Sequence, residues 1–297
     1  MTASVNASAA STCAASVTKA SSAPKLHSRK RRKPSAGKLY VGLTIVGVFV
    51  LAALVSLVWT PYDPIGQDFT AVLQQPSATH LFGTDELGRD LFSRVMSASA
   101  IDLPVTLICT VLPCILGTIL GLIAGYFGRT WDAIILRVGD LLQAFPQYVL
   151  MIVLVFVLGA GVPSLIVSFT IVGWVVYARL ARTEVMRIKE SQFIMAAKTS
   201  GFSTERILFR HIMPNVIRQI AIYLTSDLVF SVVALAAFSF LGFGIQPPTP
   251  EWGSLISSGQ KFLGLAPWLV VIPGLTLTVF AFGLALIGDA LQDRMVH

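Results

Sequence analysis

The residues with the clearest potential for chemistry are two aspartates, Asp140 and Asp227, that stand inside long apolar segments. An ionised Asp at the centre of a bilayer costs about 2.5–3.5 kcal/mol on insertion scales, so such side chains usually face a protein interior or a cavity. Arg137 precedes Asp140 by three residues, which predicts a local ion pair, and Pro146 loosens the same helix. We expect Asp140, Pro146 and Asp227 to line a polar pathway or a subunit interface. For Asp227, a satisfied hydrogen bond inside the bundle is an equal alternative.

Motifs of enzymatic chemistry are missing from the sequence. It contains no G-x-x-x-x-G-K-[ST] phosphate-binding loop, no G-x-S-x-G and no H-E-x-x-H. The Gly-Asp pairs at 139–140 and 288–289 each lack the further upstream glycine of intramembrane aspartyl proteases. The three cysteines have neither metal-ligand nor redox spacing. The sequence therefore predicts a protein that is not an enzyme, with no metal site and no cofactor bound by this chain.

The elements that must position these residues are membrane-spanning helices. The chain is 55% hydrophobic and 12% charged, with a mean hydropathy of +0.76. About 20 apolar residues cross the hydrocarbon core as a helix, and apolar and polar residues do not alternate as they would in a barrel. The sequence predicts an all-α polytopic membrane protein. Its six predicted transmembrane helices are 39–59, 101–126, 133–158, 162–181, 219–244 and 267–288.

Charge predicts the orientation of these spans. Residues 1–38 hold eight basic and no acidic side chains, and residues 179–218 hold eight Lys or Arg against three Glu. Residues 60–102 hold six acidic side chains against two arginines. Because basic loops remain in the cytoplasm, both termini should be cytoplasmic and the loop 60–100 extracytoplasmic.

The domain organisation follows from the same pattern. Residues 1–38 are predicted to be a disordered basic cytoplasmic tail, and residues 39–297 a six-helix transmembrane domain. The basic cluster adjoins a span and lacks interleaved aromatic residues, which favours a topology anchor near membrane lipid over nucleic-acid binding.

A polar segment between two spans, residues 189–215, reads KESQFIMAAKTSGFSTERILFRHIMPN. Its sequence predicts a helix around Ala196 and Ala197, a break at Gly201, a second short helix, and an interruption at Pro214 before the next span. Two short helices joined at a glycine would lie across the cytoplasmic mouth. A structured loop of this kind indicates a docking surface for a partner.

The extracytoplasmic loop carries a second compact motif, FGTDELGRDLFSR, over residues 82–94. Thr84 and Asp85 are expected to cap a short amphipathic helix with an apolar stripe from Leu87 to Phe92. Arg89 and Arg94 could pair with Asp85 and Asp90. The helix would either pack on the transmembrane domain alone or form part of a dock for another protein.

The loop 189–215 resembles the coupling loop of ATP-binding-cassette importer permeases, in the form found in the dipeptide, oligopeptide and nickel permease family. Further segments resemble that family in order: WTPYDP at 59–64, residues 82–94, FLGFG at 240–244 with PPTPEWG at 247–253, and GDALQD at 288–293. The residues that match the coupling motif are Ala196, Ala197, Gly201, His211, Pro214 and Asn215. Those that match the extracytoplasmic motif are Gly83, Thr84, Asp85, Gly88, Arg89 and Asp90.

The resemblance implies a type I importer permease fold in a bacterial or archaeal cytoplasmic membrane. It implies a second homologous permease subunit, two ATPase subunits that hold the ATP, and an extracytoplasmic substrate-binding protein. The cargo would be peptides or related small solutes, nickel or metal chelates among them. A self-contained secondary transporter or channel is the alternative, although such transporters often show internal repeats and none is evident here.

Overall fold

The computed structural model describes residues 36–295, and ten α-helices account for most of that range. They are α1 (Ala36–Ser56), α2 (Leu91–Phe127), α3 (Arg129–Gln143), α4 (Gln147–Leu158), α5 (Val162–Lys189), α6 (Gln192–Thr199), α7 (Thr204–Ile207), α8 (Met213–Phe240), α9 (Trp252–Gly259) and α10 (Trp268–Met295). A π-helical turn, Leu208–Ile212, joins α7 to α8, and a 3₁₀ turn, Gln260–Phe262, follows α9. Within this range no β-strand forms, and a single isolated bridge joins Thr84 to Asp90. The predicted all-α polytopic fold is confirmed.

Five of the described segments are long and apolar enough to cross a membrane, and a sixth crossing would be a bent pair. The five are Gly37–Ser56, Leu91–Phe127, Val162–Lys189, Thr204–Phe240 and Trp268–Arg294. The bent pair is α3 with α4, whose axes meet at 86°. The prediction of one continuous helix over 133–158 is therefore wrong. Pro146 has no N–H to donate and disfavours helical backbone at the residue before it, so α3 ends at Gln143 and α4 begins at Gln147.

The most extensive contact between described helices is that of α2 with α5, and glycines make the close approach possible. A Cβ atom built on Gly117 would lie 2.2 Å from the Trp174 carbonyl oxygen, and one on Gly121 would lie 2.4 Å from the Ala178 carbonyl oxygen. Gly125 meets Val185 in the same way, at 2.7 Å. The small-xxx-small spacing in the sequence thus marks an interface where the two backbones nearly touch.

Two ion pairs fix α3 against α5. The Arg182 guanidinium binds the Asp132 carboxylate with two parallel hydrogen bonds, Nη2 to Oδ2 at 2.6 Å and Nε to Oδ1. Arg179 Nη2 lies 2.6 Å from Asp140 Oδ1. The expected local pair between Arg137 and Asp140 is therefore replaced by a pairing between helices. Asp140 and Arg137 are both exposed, and it is Arg179 of α5 that Asp140 contacts.

Candidate functional site

The loop 189–215 has one face buried against the transmembrane helices. Ile194, Ala197, Ile207 and Ile212 are buried in a cluster with residues of α2, α5 and α8. Lys189 Nζ donates to the Gly125 carbonyl oxygen at 3.0 Å, one of the carbonyls left unpaired at the end of α2. The position of the loop is therefore set by the helices that it joins, so a force on the loop would reach α5 and α8.

The opposite face of the loop exposes large apolar side chains. The exposed fractions are 50% for Phe193, 50% for Met195 and 61% for Phe209, and Ala196 is exposed beside them. Gly201, with φ +76°, turns the chain between α6 and α7 and has open space around its α-carbon. An apolar face on an otherwise charged loop is typical of a surface that meets another protein.

The second half of the loop differs from its prediction. Pro214 occupies the first turn of α8, where a missing N–H is tolerated, so it does not separate a short helix from the span. The chain instead runs from Thr204 to Phe240 through the π-helical turn that contains His211. Asn215 Nδ2 donates to the His211 carbonyl oxygen at 2.8 Å, and the His211 ring lies beside Phe202. His211, Pro214 and Asn215 thus lie in one continuous helical segment, and the Phe202 ring links that segment to the turn after Gly201.

In the extracytoplasmic loop, Asp85 is the centre of a buried ionic network. Its Oδ1 accepts from the backbone N–H groups of Leu87 and Arg89 at 2.9 and 3.0 Å, and its Oδ2 accepts from Arg89 Nε at 2.7 Å. Arg94 Nε lies 3.5 Å from the same Oδ2. Removing this carboxylate would leave two buried guanidinium groups with reduced compensation, which is costly in a protein interior.

The expected short amphipathic helix at this motif does not form. Residues 84–90 make tight turns, and Asp90 instead caps α2 by accepting from Ser93 N at 2.8 Å. Gly88, at φ +71°, passes so close to Asp68 that a Cβ atom would lie 1.7 Å from its carbonyl oxygen. Gly83 also has a positive φ, and Thr84 donates its hydroxyl to the Ala71 carbonyl oxygen. Asp90 was expected to pair with an arginine, but its Oδ1 instead contacts His80 Nδ1 at 3.0 Å.

A pair of buried carboxylates, Asp102 and Glu251, was not identified as a site from the sequence. Glu251 accepts from the N–H groups of Gly253 and Ser254 at 2.9 and 2.7 Å, and Asp102 Oδ2 accepts from Trp252 N–H at 3.0 Å. Both carboxylates therefore cap the first turn of α9, and Asp102 Oδ1 has no hydrogen-bond partner. Burial raises the pKa of Glu251 to about 7. The only sequence signal is an acid directly before Trp252, where a helix cap can stand.

Among the candidate intramembrane residues, Asp227 lines a cavity. Pro146 directly precedes Gln147, which lines the same cavity. Asp227 Oδ2 accepts a hydrogen bond from the Tyr177 hydroxyl at 2.7 Å. The cavity beside it measures about 250 Å³ and is also lined by Gln147, Tyr223 and Phe230. Gln147 reaches the cavity because the break at Pro146 ends α3 and starts α4 there. Asp140 does not line it and pairs with Arg179 instead.

Comparison with known proteins supplies the context for these sites. Residues 117–297 match the family described as "Binding-protein-dependent transport system inner membrane component". The chain is 38% identical to the dipeptide transport system permease protein DppC of Alkalihalophilus pseudofirmus, over 86% of this chain and 84% of that protein. It is 35% identical to the nickel transport system permease protein NikC of Escherichia coli K12, over 86% and 92% respectively. It is 36% identical to the glutathione transport system permease protein GsiD of Pectobacterium atrosepticum, over 84% of both chains.

Proposed function

Because the chain belongs to the binding-protein-dependent transport system inner membrane component family, a family of multi-pass importer permeases, we propose that it is driven by ATPase subunits through the loop 189–215. The observation that carries this proposal is the two-sided loop, buried against α2, α5 and α8 on one side and apolar and exposed on the other. Ala196, Ala197, Gly201, His211, Pro214 and Asn215 are its coupling residues.

The proposed assembly has a second homologous permease, two ATPase subunits and an extracytoplasmic binding protein. This chain binds no cofactor, and ATP is held by the ATPase subunits. The helices α2, α4 and α10 expose large apolar side chains. These side chains support the proposed assembly, because they offer surface for another permease as well as for lipid. The Asp85 network gives the extracytoplasmic loop a rigid shape, which suits it to receive a binding protein.

The proposed cargo is a small solute of the kind named for the relatives: peptides, glutathione or nickel, the last as the ion or a chelate. Both termini and the loop 189–215 would lie in the cytoplasm, and residues 60–100 outside. With this topology the solute crosses between helices of the two permeases while the ATPases move α5 and α8 from below.

The test purifies the full chain by an affinity tag and measures how much of the ATPase subunits is recovered with it. The wild type is compared with the variant Gly201→Val. A β-branched side chain at a positive φ costs roughly 1–2 kcal/mol and would reshape the turn that presents the exposed face. We expect the bound ATPase to fall about tenfold, which corresponds to a loss of about 1.4 kcal/mol of binding free energy. ATP-dependent uptake by reconstituted vesicles should fall with it.

The matched control is Gly242→Val, which introduces the same side chain at φ +84°, also with open space around it, beyond the far end of α8. It imposes similar backbone strain but should leave ATPase recovery intact. Equal recovery from both variants, or wild-type uptake that needs no ATP, would contradict the proposal.

A further inference from the structure

The cavity beside Asp227 is lined by one carboxylate together with amide, hydroxyl and aromatic side chains. It opens between α5 and α8 at the start of α4, and a narrower cleft continues from it toward Cys109 and Met151 in the core. Asp227, Gln147 and Phe230 line both spaces, so the carboxylate stands where they meet. At about 250 Å³ the wider space is near the lower end of small-molecule sites, about 300 Å³. It fits one end of a small solute.

The Asp227 carboxylate is held in place by a hydrogen bond to only one of its two oxygens. Oδ2 accepts from the Tyr177 hydroxyl, and the Tyr177 ring packs edge-on against Tyr223 at 5.1 Å between centroids. Oδ1 makes no hydrogen bond to any described residue, and it is not among the polar atoms sealed from solvent. The structure therefore presents one fixed, unpaired carboxylate oxygen to the cavity.

The charge in the cavity is not balanced by a neighbouring cation. No Lys, Arg or His is among the described residues that line either space. The remaining walls include the aromatic rings of Tyr223 and Phe230, whose faces attract cations. Within residues 36–295 no cluster of three or more His, Cys, Asp or Glu could hold a metal ion, which favours an organic cation over a bare divalent metal ion.

We propose that the Asp227 cavity binds the ammonium group of a transported solute, with the carboxylate as counter-ion and the rings of Tyr223 and Phe230 around it. This inference rests on the proposed transport function and narrows its cargo. It favours solutes with a free amine, such as peptides with an unmodified N-terminus, over a bare metal ion. Tyr177 acts as a positioning residue, because its hydroxyl orients the carboxylate.

The test measures binding to the transporter assembled with its partner subunits in lipid nanodiscs, without the binding protein. The probe is radiolabelled alanyl-phenylalanine, displaced by unlabelled alanyl-phenylalanine, by its N-acetyl form or by phenethylamine. We expect the acetylated peptide to bind about tenfold more weakly, the scale of one charge-assisted hydrogen bond. Phenethylamine, which keeps the ammonium and the phenyl ring but lacks the peptide group, should displace the probe. Equal displacement by the free and the acetylated peptide would contradict the inference.

The decisive variant is Asp227→Asn, which retains an oxygen to accept from Tyr177 and removes only the charge. It should bind the free peptide about tenfold more weakly and no longer distinguish it from the acetylated one. Tyr177→Phe keeps the charge and should retain the distinction. The control Asp63→Asn makes the same change at an exposed carboxylate that accepts from Ile65 N, and it should match the wild type.

The inference and the proposed function fail differently. Undiminished preference for the free peptide in Asp227→Asn, in a preparation that still shows ATP-driven uptake with the binding protein, would overturn the inference alone. A wild-type preparation without ATP-driven uptake would overturn the proposed function. A loss of thermal stability in Asp227→Asn with unchanged binding would reduce Asp227 to a packing role and also overturn the inference.

Discussion

Glu251 and Asp102 place two carboxylates at the start of α9, in a region that solvent hardly reaches. Glu251 is 1% exposed and Asp102 is 3% exposed. A buried pair of acids is costly when both are ionised, because burial and mutual repulsion each disfavour the charged form. The hydrogen bonds from the first N–H groups of α9 offset only part of this cost. The protein therefore carries a proton-sensitive contact between α2 and α9.

This contact predicts that the protein loses stability as pH rises. The pKa of Glu251 is raised by burial from an ordinary 4.5 to about 7, so the folded state holds a proton that the unfolded chain releases. The stabilisation is complete below about pH 4.5 and is lost as pH rises through 7. We expect the thermal unfolding midpoint of the detergent-purified protein to fall by about 2 °C or more between pH 5 and pH 8.

The control compares two acid-to-amide changes. Glu251→Gln removes the titrating group and retains an acceptor for α9. It should flatten the dependence of the thermal unfolding midpoint on pH in this range. Glu190→Gln changes an exposed side chain and should leave the pH dependence of the unfolding midpoint unchanged. A slope that survives Glu251→Gln would assign the pH dependence to another group.

At the scale of elements, the α2–α5 interface depends on the absence of side chains. Gly117, Gly121 and Gly125 bring α2 against the backbone of α5, and the two ion pairs from α3 reinforce α5 on another side. Because α5 continues directly into the loop 189–215, this close pairing would carry a movement of the loop into the bundle if the proposed coupling holds.

The interface predicts opposite effects for two identical substitutions. Gly121→Ala places a methyl group 2.4 Å from the Ala178 carbonyl oxygen and should destabilise the protein by about 1–3 kcal/mol, as overpacking usually does. Gly47→Ala, in α1, meets nothing within 4 Å and should stabilise its helix by about 0.5–1 kcal/mol. Thermal unfolding in detergent measures both, and a similar shift in the two variants would contradict the role of the α2–α5 approach.

The elements differ in how far the sequence could predict them. Apolar length alone located five of the six predicted spans, and the four-residue glycine spacing indicated the packed face of α2. The break at Pro146 was underestimated because proline can also bend a helix without ending it. The short helix expected after Thr84 and Asp85 was wrong because these capping residues serve tight turns, which depend on contacts with Asp68 and Gln74. Asp140 pairs with Arg179, which is 39 residues away in the sequence, and local sequence patterns do not reveal so distant a partner.

At the scale of the whole molecule, the exposed apolar surface and the distribution of charge are the basis of the proposed orientation in a membrane. Leu107, Leu112, Ile115 and Ile119 on α2 are among the described apolar side chains that remain exposed, as expected for helices that meet lipid or another permease. The acidic loop 60–100 and the basic loop 189–215 lie at opposite ends of the spans that connect them. Such asymmetry favours the orientation with the basic loop in the cytoplasm.

The proposed orientation predicts which loops a membrane-impermeant maleimide can reach. In a chain with Cys13, Cys109 and Cys114 replaced by alanine, single cysteines are introduced as Ala78→Cys or Ser200→Cys, both at exposed positions. Intact cells should label Ala78→Cys, and Ser200→Cys should react only after the membrane is permeabilised, because the proposed orientation places the basic loop in the cytoplasm. ATP-dependent uptake by each variant confirms that the labelled protein is assembled. Labelling of Ser200→Cys in intact cells would place the loop 189–215 outside, away from any cytoplasmic ATPase, and would contradict both the orientation and the proposed coupling.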